Sequence, residues 1–324
     1  MRKLSTILSA AILLLTACSK EEPQTPQPET GETGYTVVNL RFGQPTTYAT
    51  VGALPEEKVV KSVAIFVNTS AGFHKYLSTA GELHTPLNEV SAGYYTAAVK
   101  VESETTQNAQ MFVLANYNDA QYDLAAQLAS VTSWEDLKGL KTTALADASA
   151  GPTTPLLMYS NTTVSLSGGK VLDKDITLKR LVARFDVIDN VNDPAKLELV
   201  SASLLNPKAQ GYLHPDQSID NVLALPQIAR FADKTVSNGV IRGLYAYETA
   251  GTEAQPLTVC VVCRINGVET VKLITIRQKG NTPAYAPIRR NSYHGINLYW
   301  DTDNNTLSPV IIDDGWDDDG GDLG

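Results

Sequence analysis

Histidine, cysteine and net positive charge are what this chain has least of. Four histidines occur in 324 residues, at positions 74, 84, 214 and 294. No two of them share the spacing of a helical metal site, so histidine-centred metal or acid–base chemistry has no frame to sit in. Lys plus Arg number 26 against 35 Asp plus Glu, a formal net charge of −9. That balance argues against sequence-independent binding of nucleic acid, which needs a basic face. Trp and Met number three each and Phe six, whereas Tyr numbers 14, Gly 22 and Pro 16. Turn formers and half-polar aromatics in that proportion suit β structure with a wet surface better than a helical bundle. Beyond the N-terminus no apolar run is long enough for a membrane helix. The length accommodates two domains of common size.

The motifs that would carry chemistry also fail on context. Cys260 and Cys263 form a CxxC, but no second pair completes a four-ligand zinc site. Leu257, Val259, Val261, Cys263 and Ile265 alternate as one face of a strand, and Cys260 points to the other face with Thr258 and Arg264. An intrastrand disulfide is therefore not expected, and both cysteines read as structural. There is no Gly-x-Ser-x-Gly elbow. Ser167-Gly168-Gly169-Lys170 lacks phosphate-loop spacing and reads as a hairpin turn. Asp301-Thr302-Asp303-Asn304-Asn305 opens like a calcium loop but has Thr306 at position six and Ile312 at position twelve, where an EF-hand needs Gly and Glu. Asp313, Asp314, Asp317, Asp318, Asp319 and Asp322 read as a solvated, self-repelling tail. No enzyme activity, catalytic residue, metal or cofactor is expected.

The N-terminus carries an address. Arg2 and Lys3 precede the short apolar stretch Ile7–Leu15, which ends in Leu15-Thr16-Ala17-Cys18. That ending resembles a bacterial lipobox, which implies cleavage between Ala17 and Cys18 and acylation of Cys18; a plain secretory signal is the alternative. Residues 19–34 have no aliphatic or aromatic side chain and form a tether. Ser19-Lys20-Glu21-Glu22 resembles the Lys-acidic-acidic signal of surface lipoproteins in the Bacteroides group, with an ordinary charged linker equally open.

The remainder is mostly of period two. Strands are expected at Tyr35–Phe42, with Val38, Leu40 and Phe42 on one face, and at Lys61–Val67, Tyr94–Val101, Gln110–Asn116, Leu156–Tyr159 and Val164–Leu166. Asp175–Ile188 is long for one strand and is expected to bend or bulge. A helix over Asp119–Ala129 interrupts, and Ser133-Trp134-Glu135-Asp136 opens a second, short one to about Leu140. Further strands are expected at Lys196–Leu205, Tyr212, Val240–Tyr247, Leu257–Ile265, Val268–Gln278, Asn291–Trp300 and Leu307–Ile312. Asn266-Gly267 makes a hairpin signal between two of them. The spacing predicts an all-β chain of two β-sandwiches with a minor helical insertion in the first.

A family resemblance rests on several blocks in order. They are Tyr35–Phe42, Val59–Val67, Met111–Asn116, Pro155–Ser160, Leu178-Lys179-Arg180-Leu181-Val182-Ala183-Arg184-Phe185 and Ile288–His294. Behind a lipobox, this order resembles the fimbrillin family of Bacteroides-type (type V) pili. The resemblance implies two transthyretin-like β-sandwich domains in tandem. The chain thus divides into a signal peptide (1–17), a tether (18–34), an N-terminal domain (35–185), a C-terminal domain ending in a donor-type strand (186–312) and an acidic tail (313–324), with the boundary between the domains placed near 185, give or take about ten. It also implies a structural subunit of a fimbrium, delivered to the outer membrane as a lipoprotein and polymerised by donor-strand exchange. Val38, Leu40 and Phe42 would form the removable strand. Val310, Ile311 and Ile312 would belong to the donor, with Trp316 locking its end; an intramolecular edge strand is the alternative for this run.

Maturation in the family follows an arginine in the loop after the first strand. Residues 43–57 contain neither Arg nor Lys. The candidate cuts are thus Arg41 and Lys58, unless another protease acts or the strand is kept, as a basal subunit would keep it. A shaft subunit is the first expectation, with anchor and tip as alternatives. The expected partners are other fimbrial subunits, a maturation protease, the outer membrane through the lipid, and a host or bacterial receptor. A surface glycan-binding lipoprotein is the competing reading. Against it, Trp134 and Trp300 are expected to be buried.

Overall fold

The computed structural model describes residues 32–43, 53–277 and 285–315. The first half contains β1 (Tyr35–Gly43), β2 (Val63–Thr69), β3 (Gly72–Leu77), β4 (Thr85–Ser91), β5 (Tyr94–Glu102) and β6 (Gln107–Ala115), then α1 (Ala125–Ser130) and α2 (Trp134–Gly139), then β7 (Met158–Leu166), β8 (Lys170–Thr177) and β9 (Lys179–Arg180). The second half contains β10 (Val182–Asp189), β11 (Leu197–Leu205), α3 (Ile219–Leu223), β12 (Lys234–Thr235), β13 (Val240–Tyr247), β14 (Thr258–Ile265), β15 (Val268–Thr275), β16 (Ser292–Asp301) and β17 (Thr306–Gly315). No helix among the described residues is long and apolar enough to cross a membrane.

Strand alternation builds two sandwiches. In the first, the sheet β4-β5-β1-β8 faces the sheet β3-β2-β6-β7-β9. Val38, Leu40 and Phe42 meet Val63, Ile65, Val67, Val99, Val101, Met111 and Val113 in the core between them. In the second, β13-β10-β16-β17 faces β12-β11-β14-β15, and Phe185, Val187, Leu204, Val259, Val261, Cys263 and Ile296 fill the space. The architecture is all-β and two-domain, as the periodicity predicts. The helical insertion covers the outer face of the second sheet of the first sandwich: Trp134 and Leu137 pack with Phe66, Phe112 and Leu114. The Ser133 hydroxyl caps α2 by accepting from the Asp136 amide at 3.1 Å. The β14–β15 hairpin turns at Asn266 (φ 50°) and Gly267 (φ 78°), the two left-handed residues a type I′ turn requires. Cys260 and Cys263 are buried and free, Cys263 in the core and Cys260 on the opposite face. Burial pushes the Cys263 thiol above its ordinary pKa.

Several expectations are corrected. Asp175–Ile188 is not one bent strand but the end of β8, then β9, then β10. The sheets divide between Arg180 and Val182, inside the range expected around 185, and Val182–Phe185 belong to the second sandwich, where β10 pairs with β13 and β16. The Ser167–Lys170 turn joins β7 and β8, which lie in different sheets, so it is a crossover and not a hairpin. The first helix is confined to Ala125–Ser130, because Asp123 takes a left-handed φ of 43° that ends the preceding turn. Tyr212 makes an isolated bridge to Lys141 rather than a strand. Asp313–Gly315 are paired with Ser292–His294 and extend β17, so the tail begins later than 313. Trp300 is half-buried, with the Lys196 ammonium over its ring at 6.0 Å.

Candidate assembly site

β1 and β17 are the two segments the sequence singles out, and the fold places them differently. β1 lies inside its sheet, antiparallel to β5 and parallel to β8, with pairing on both sides along its length. Thr36, Val38, Leu40 and Phe42 alternate inward and are at most 1% exposed. Arg41 points outward and bridges two acidic residues of β8, at 2.8 Å to Asp175 and 3.6 Å to Asp173. These pairs are solvent-exposed and contribute at most about 1 kcal/mol. The side chains on the core face hold the strand: at about 1.5–3 kcal/mol each, Val38, Leu40 and Phe42 together contribute on the order of 5–9 kcal/mol.

β17 is an edge strand, antiparallel to β16 of the same chain and without a second neighbour among the described residues. Leu307 and Ile311 turn toward the second core, whereas Val310 and Ile312 are 47% and 45% exposed. The intramolecular pairing foreseen as the alternative for this run is therefore the arrangement seen in the single chain. Pro309 sits within the strand, a residue suited to an edge because it has no N–H to offer.

Four other edges, those of β8, β15, β4 and β3, are blunted too. Lys174 of β8 stands opposite Leu40 and so lies on the core face of an edge strand. Lys272 of β15 stands opposite Val261 in the same way. β4 carries Pro86. β3 is covered by the helical insertion, where the Lys75 ammonium reaches the carbonyls of Ala129 and Val131 and Phe73 meets the Trp134 ring edge-on. Inward lysines, prolines and covering elements discourage strands of other copies from adding sideways.

Lys58, the second candidate cut, lies in a short 3-10 turn, Pro55–Lys58, between β1 and β2. Its neighbour Glu57 is fully buried. The Glu57 carboxylate accepts from the Leu54 amide at 2.7 Å, the Arg184 guanidinium at 3.2 Å and the Tyr245 hydroxyl at 2.6 Å. Arg184 also grips Asp186 at 2.9 and 2.6 Å, and Asp186 accepts from the Gly243 amide at 2.8 Å. Burial disfavours charge on Arg184, but its bonds to Asp186 and the nearby Glu57 outweigh it and hold the guanidinium above its ordinary pKa. Burial and the Glu57 carboxylate push the Tyr245 phenol far up. The sequence reading missed this cluster. Its one sequence signal is Arg184-Phe185-Asp186, two opposite charges on one face of an otherwise apolar strand.

Ala17, Cys18 and Trp316 lie outside the described residues. For the glycan reading, a polar groove of about 430 Å³ runs between β7 and β8, lined by Ser160, Asn161, Thr162, Asp175, Thr177 and Lys179. Tyr159, which also borders it, is only 7% exposed, and the Arg290 guanidinium lies over its ring at 5.2 Å.

The family match falls on the first sandwich, and the structural matches span both. Residues 36–183 match the family described as major fimbrial subunit protein (FimA). No curated protein matches the sequence significantly. Among solved structures, the C-terminally truncated tip fimbrial protein Mfa3 of Porphyromonas gingivalis superposes with a TM-score of 0.57 at 16% identity, over 87% of this chain and 99% of that one. A candidate cell adhesion protein of Parabacteroides distasonis gives 0.54 at 16% identity, over 88% and 98%. Another, of Bacteroides eggerthii, gives 0.54 at 15% identity, over 90% and 98%. At these identities the likeness is one of fold.

Proposed function

We propose that this chain, which belongs to the fimbrillin family through its first domain, is a structural subunit of a cell-surface fimbrium and takes its place in the shaft. It is exported as an outer-membrane lipoprotein acylated at Cys18. A protease then cuts at Arg41, at Lys58 or in the connection between them, and β1 leaves with the lipid. β17 of a neighbouring subunit, with Val310, Ile311, Ile312 and Trp316, fills the vacated slot. Its partners are copies of itself and related subunits, the maturation protease, and the surface receptor that the fimbrium adheres to.

The observation that carries this reading is the contrast between a first strand enclosed on both edges and a last strand held on one. Loss of β1 opens an apolar groove with a free backbone edge on either side, and only another strand restores both. Donor and groove are different surfaces, so the contact is heterologous and propagates as an open filament. The blunted edges support exchange over sideways addition.

Sequencing the N-terminus of the subunit from purified fimbriae tests the reading. A chain beginning at Phe42, at Val59 or between them is expected. An acylated Cys18 in the filament would overturn the shaft assignment in favour of an anchor. Deleting residues 307–324 is expected to abolish filaments under the electron microscope, and filaments that persist exclude β17 as donor.

A further inference from the structure

The turn that follows β1 is fixed from both domains. On one side, the Glu57 carboxylate is bonded to Arg184 of β10 and Tyr245 of β13, both in the second sandwich. The Arg180 guanidinium reaches the Glu57 carbonyl at 3.4 Å. On the other side, Asn116, fully buried at the end of β6 with a left-handed φ of 66°, donates to the Val59 carbonyl at 2.8 Å and accepts from the Lys61 amide at 2.7 Å. The backbone on both sides of the Lys58–Val59 bond is thus held by buried groups. Proteases bind their substrates extended, with several residues free of other partners on either side of the cut, and so act on segments whose burial and bonding can be released at low cost. Here release would break the buried, charge-assisted bonds of Glu57 to Arg184 and Tyr245, which are costly to lose in a dry joint.

We infer that Glu57 is a bolt: it fastens the Pro55–Lys58 turn to the second domain and closes the Lys58–Val59 bond to proteolysis in the folded chain. The protection stands whether or not β1 ever leaves. If β1 does leave, which rests on the function proposed above, the bolt keeps the chain end that remains docked beside the joint, and it narrows the cuts proposed there by disfavouring Lys58. A cut there would carry Glu57 away with the discarded segment and leave the Arg184–Asp186 pair without its third member.

Limited digestion of the purified full chain with trypsin, with each cut located by mass spectrometry, tests this. In the wild type, cutting after Lys58 is expected to be at least about tenfold slower than after the exposed Lys170, because the Lys170–Val171 bond opens by fraying the first residues of an edge strand paired on one side, whereas the Lys58–Val59 bond requires the bolt to open. Glu57→Gln is expected to speed the Lys58 cut by about tenfold or more while leaving the Lys170 cut unchanged. Tyr245→Phe keeps the ion pair and removes one hydrogen bond, so a rise of about fivefold is expected. Should Glu57→Gln fail to fold, the tyrosine variant decides alone. A wild type cut after Lys58 as readily as after Lys170, or folded variants whose Lys58 cut is no faster, would overturn the inference. The assay uses the monomer, so its outcome is separate from whether filaments form by strand exchange.

Discussion

β1 and β17 are nine and ten residues long, each with branched apolar residues at its heart, yet they are held by different means. β1 contributes a full row of side chains to a core and pairs along both edges. β17 leaves Val310 and Ile312 in water and pairs along one. The two sheets that contain them are built alike. In each, a leading strand lies antiparallel to one neighbour and parallel to the other: β1 between β5 and β8, β10 between β13 and β16. The second sheet then adds β17 beyond β16, whereas the outer edge of β8 is open among the described residues. The comparison teaches that apolar composition alone does not separate an acceptor strand from a donor; position in the sheet does.

The comparison can be broken most directly in β1. Phe42→Ala and Leu40→Ala are expected to destabilise the first domain by about 3–5 and 2–5 kcal/mol, read from urea denaturation of the monomer. Losses below about 1 kcal/mol would mean that β1 is as loosely held as β17.

A smaller effect sharpens what besides β1 supports the first domain. His214, on a loop of the second half, is fully buried between Phe112 and Trp134, with ring centroids 5.0 and 5.6 Å away. Burial lowers its pKa from the ordinary 6.5, with Asp216 opposing. The unfolded chain therefore takes up the proton first as pH falls below about 6.5, so stability is lost on acidification down to the folded pKa. His214→Gln is expected to flatten that part of the pH profile of the unfolding midpoint. An unchanged slope would mean that the imidazole charges freely where it sits.

The smallest expected change is in β17. Val310→Ser with Ile312→Ser is expected to shift monomer stability by no more than about 0.5 kcal/mol per site, because both side chains are half in water. Filament yield from the same variant should nevertheless fall. A stable monomer with undiminished filaments would show that this face has no part in assembly.

Much of the fold was legible because alternation survives wherever one strand face is buried. β1, β2, β5, β11 and β14 emerged from their apolar phase, and Asn266-Gly267 placed a hairpin on turn chemistry alone. β3 and β4 were not foreseen, since GFHKYL and TPLNEVS mix Gly, Pro and charge in the manner of edges. The run from 170 to 189 was misjudged for a related reason. Lys174 on the core face of β8 hides the alternation, while Leu178 and Leu181 carry apolar character across the breaks between strands. The enclosed position of β1 was suggested only by family resemblance, because its partner β8 is far along the chain. The Glu57 cluster was illegible for the same reason: its bonds span 127 residues to Arg184 and 188 to Tyr245, and a lone glutamate in a Pro-Glu-Glu-Lys turn looks like solvent-facing charge.

The parallel pairing of β1 with β8 has a consequence for the order of events during synthesis. Asn39 and Asp173, bonded across that pair, are 134 residues apart. The strand made first must wait for one of the last of its domain before its second edge is covered. Contacts of such separation form slowly, because the intervening chain has to be closed as a loop. Until then Val38, Leu40 and Phe42 travel on a half-finished sheet. The newborn subunit thus passes through a stage in which its own leading strand is loosely seated, and any helper protein that shields nascent chains has its widest opportunity there.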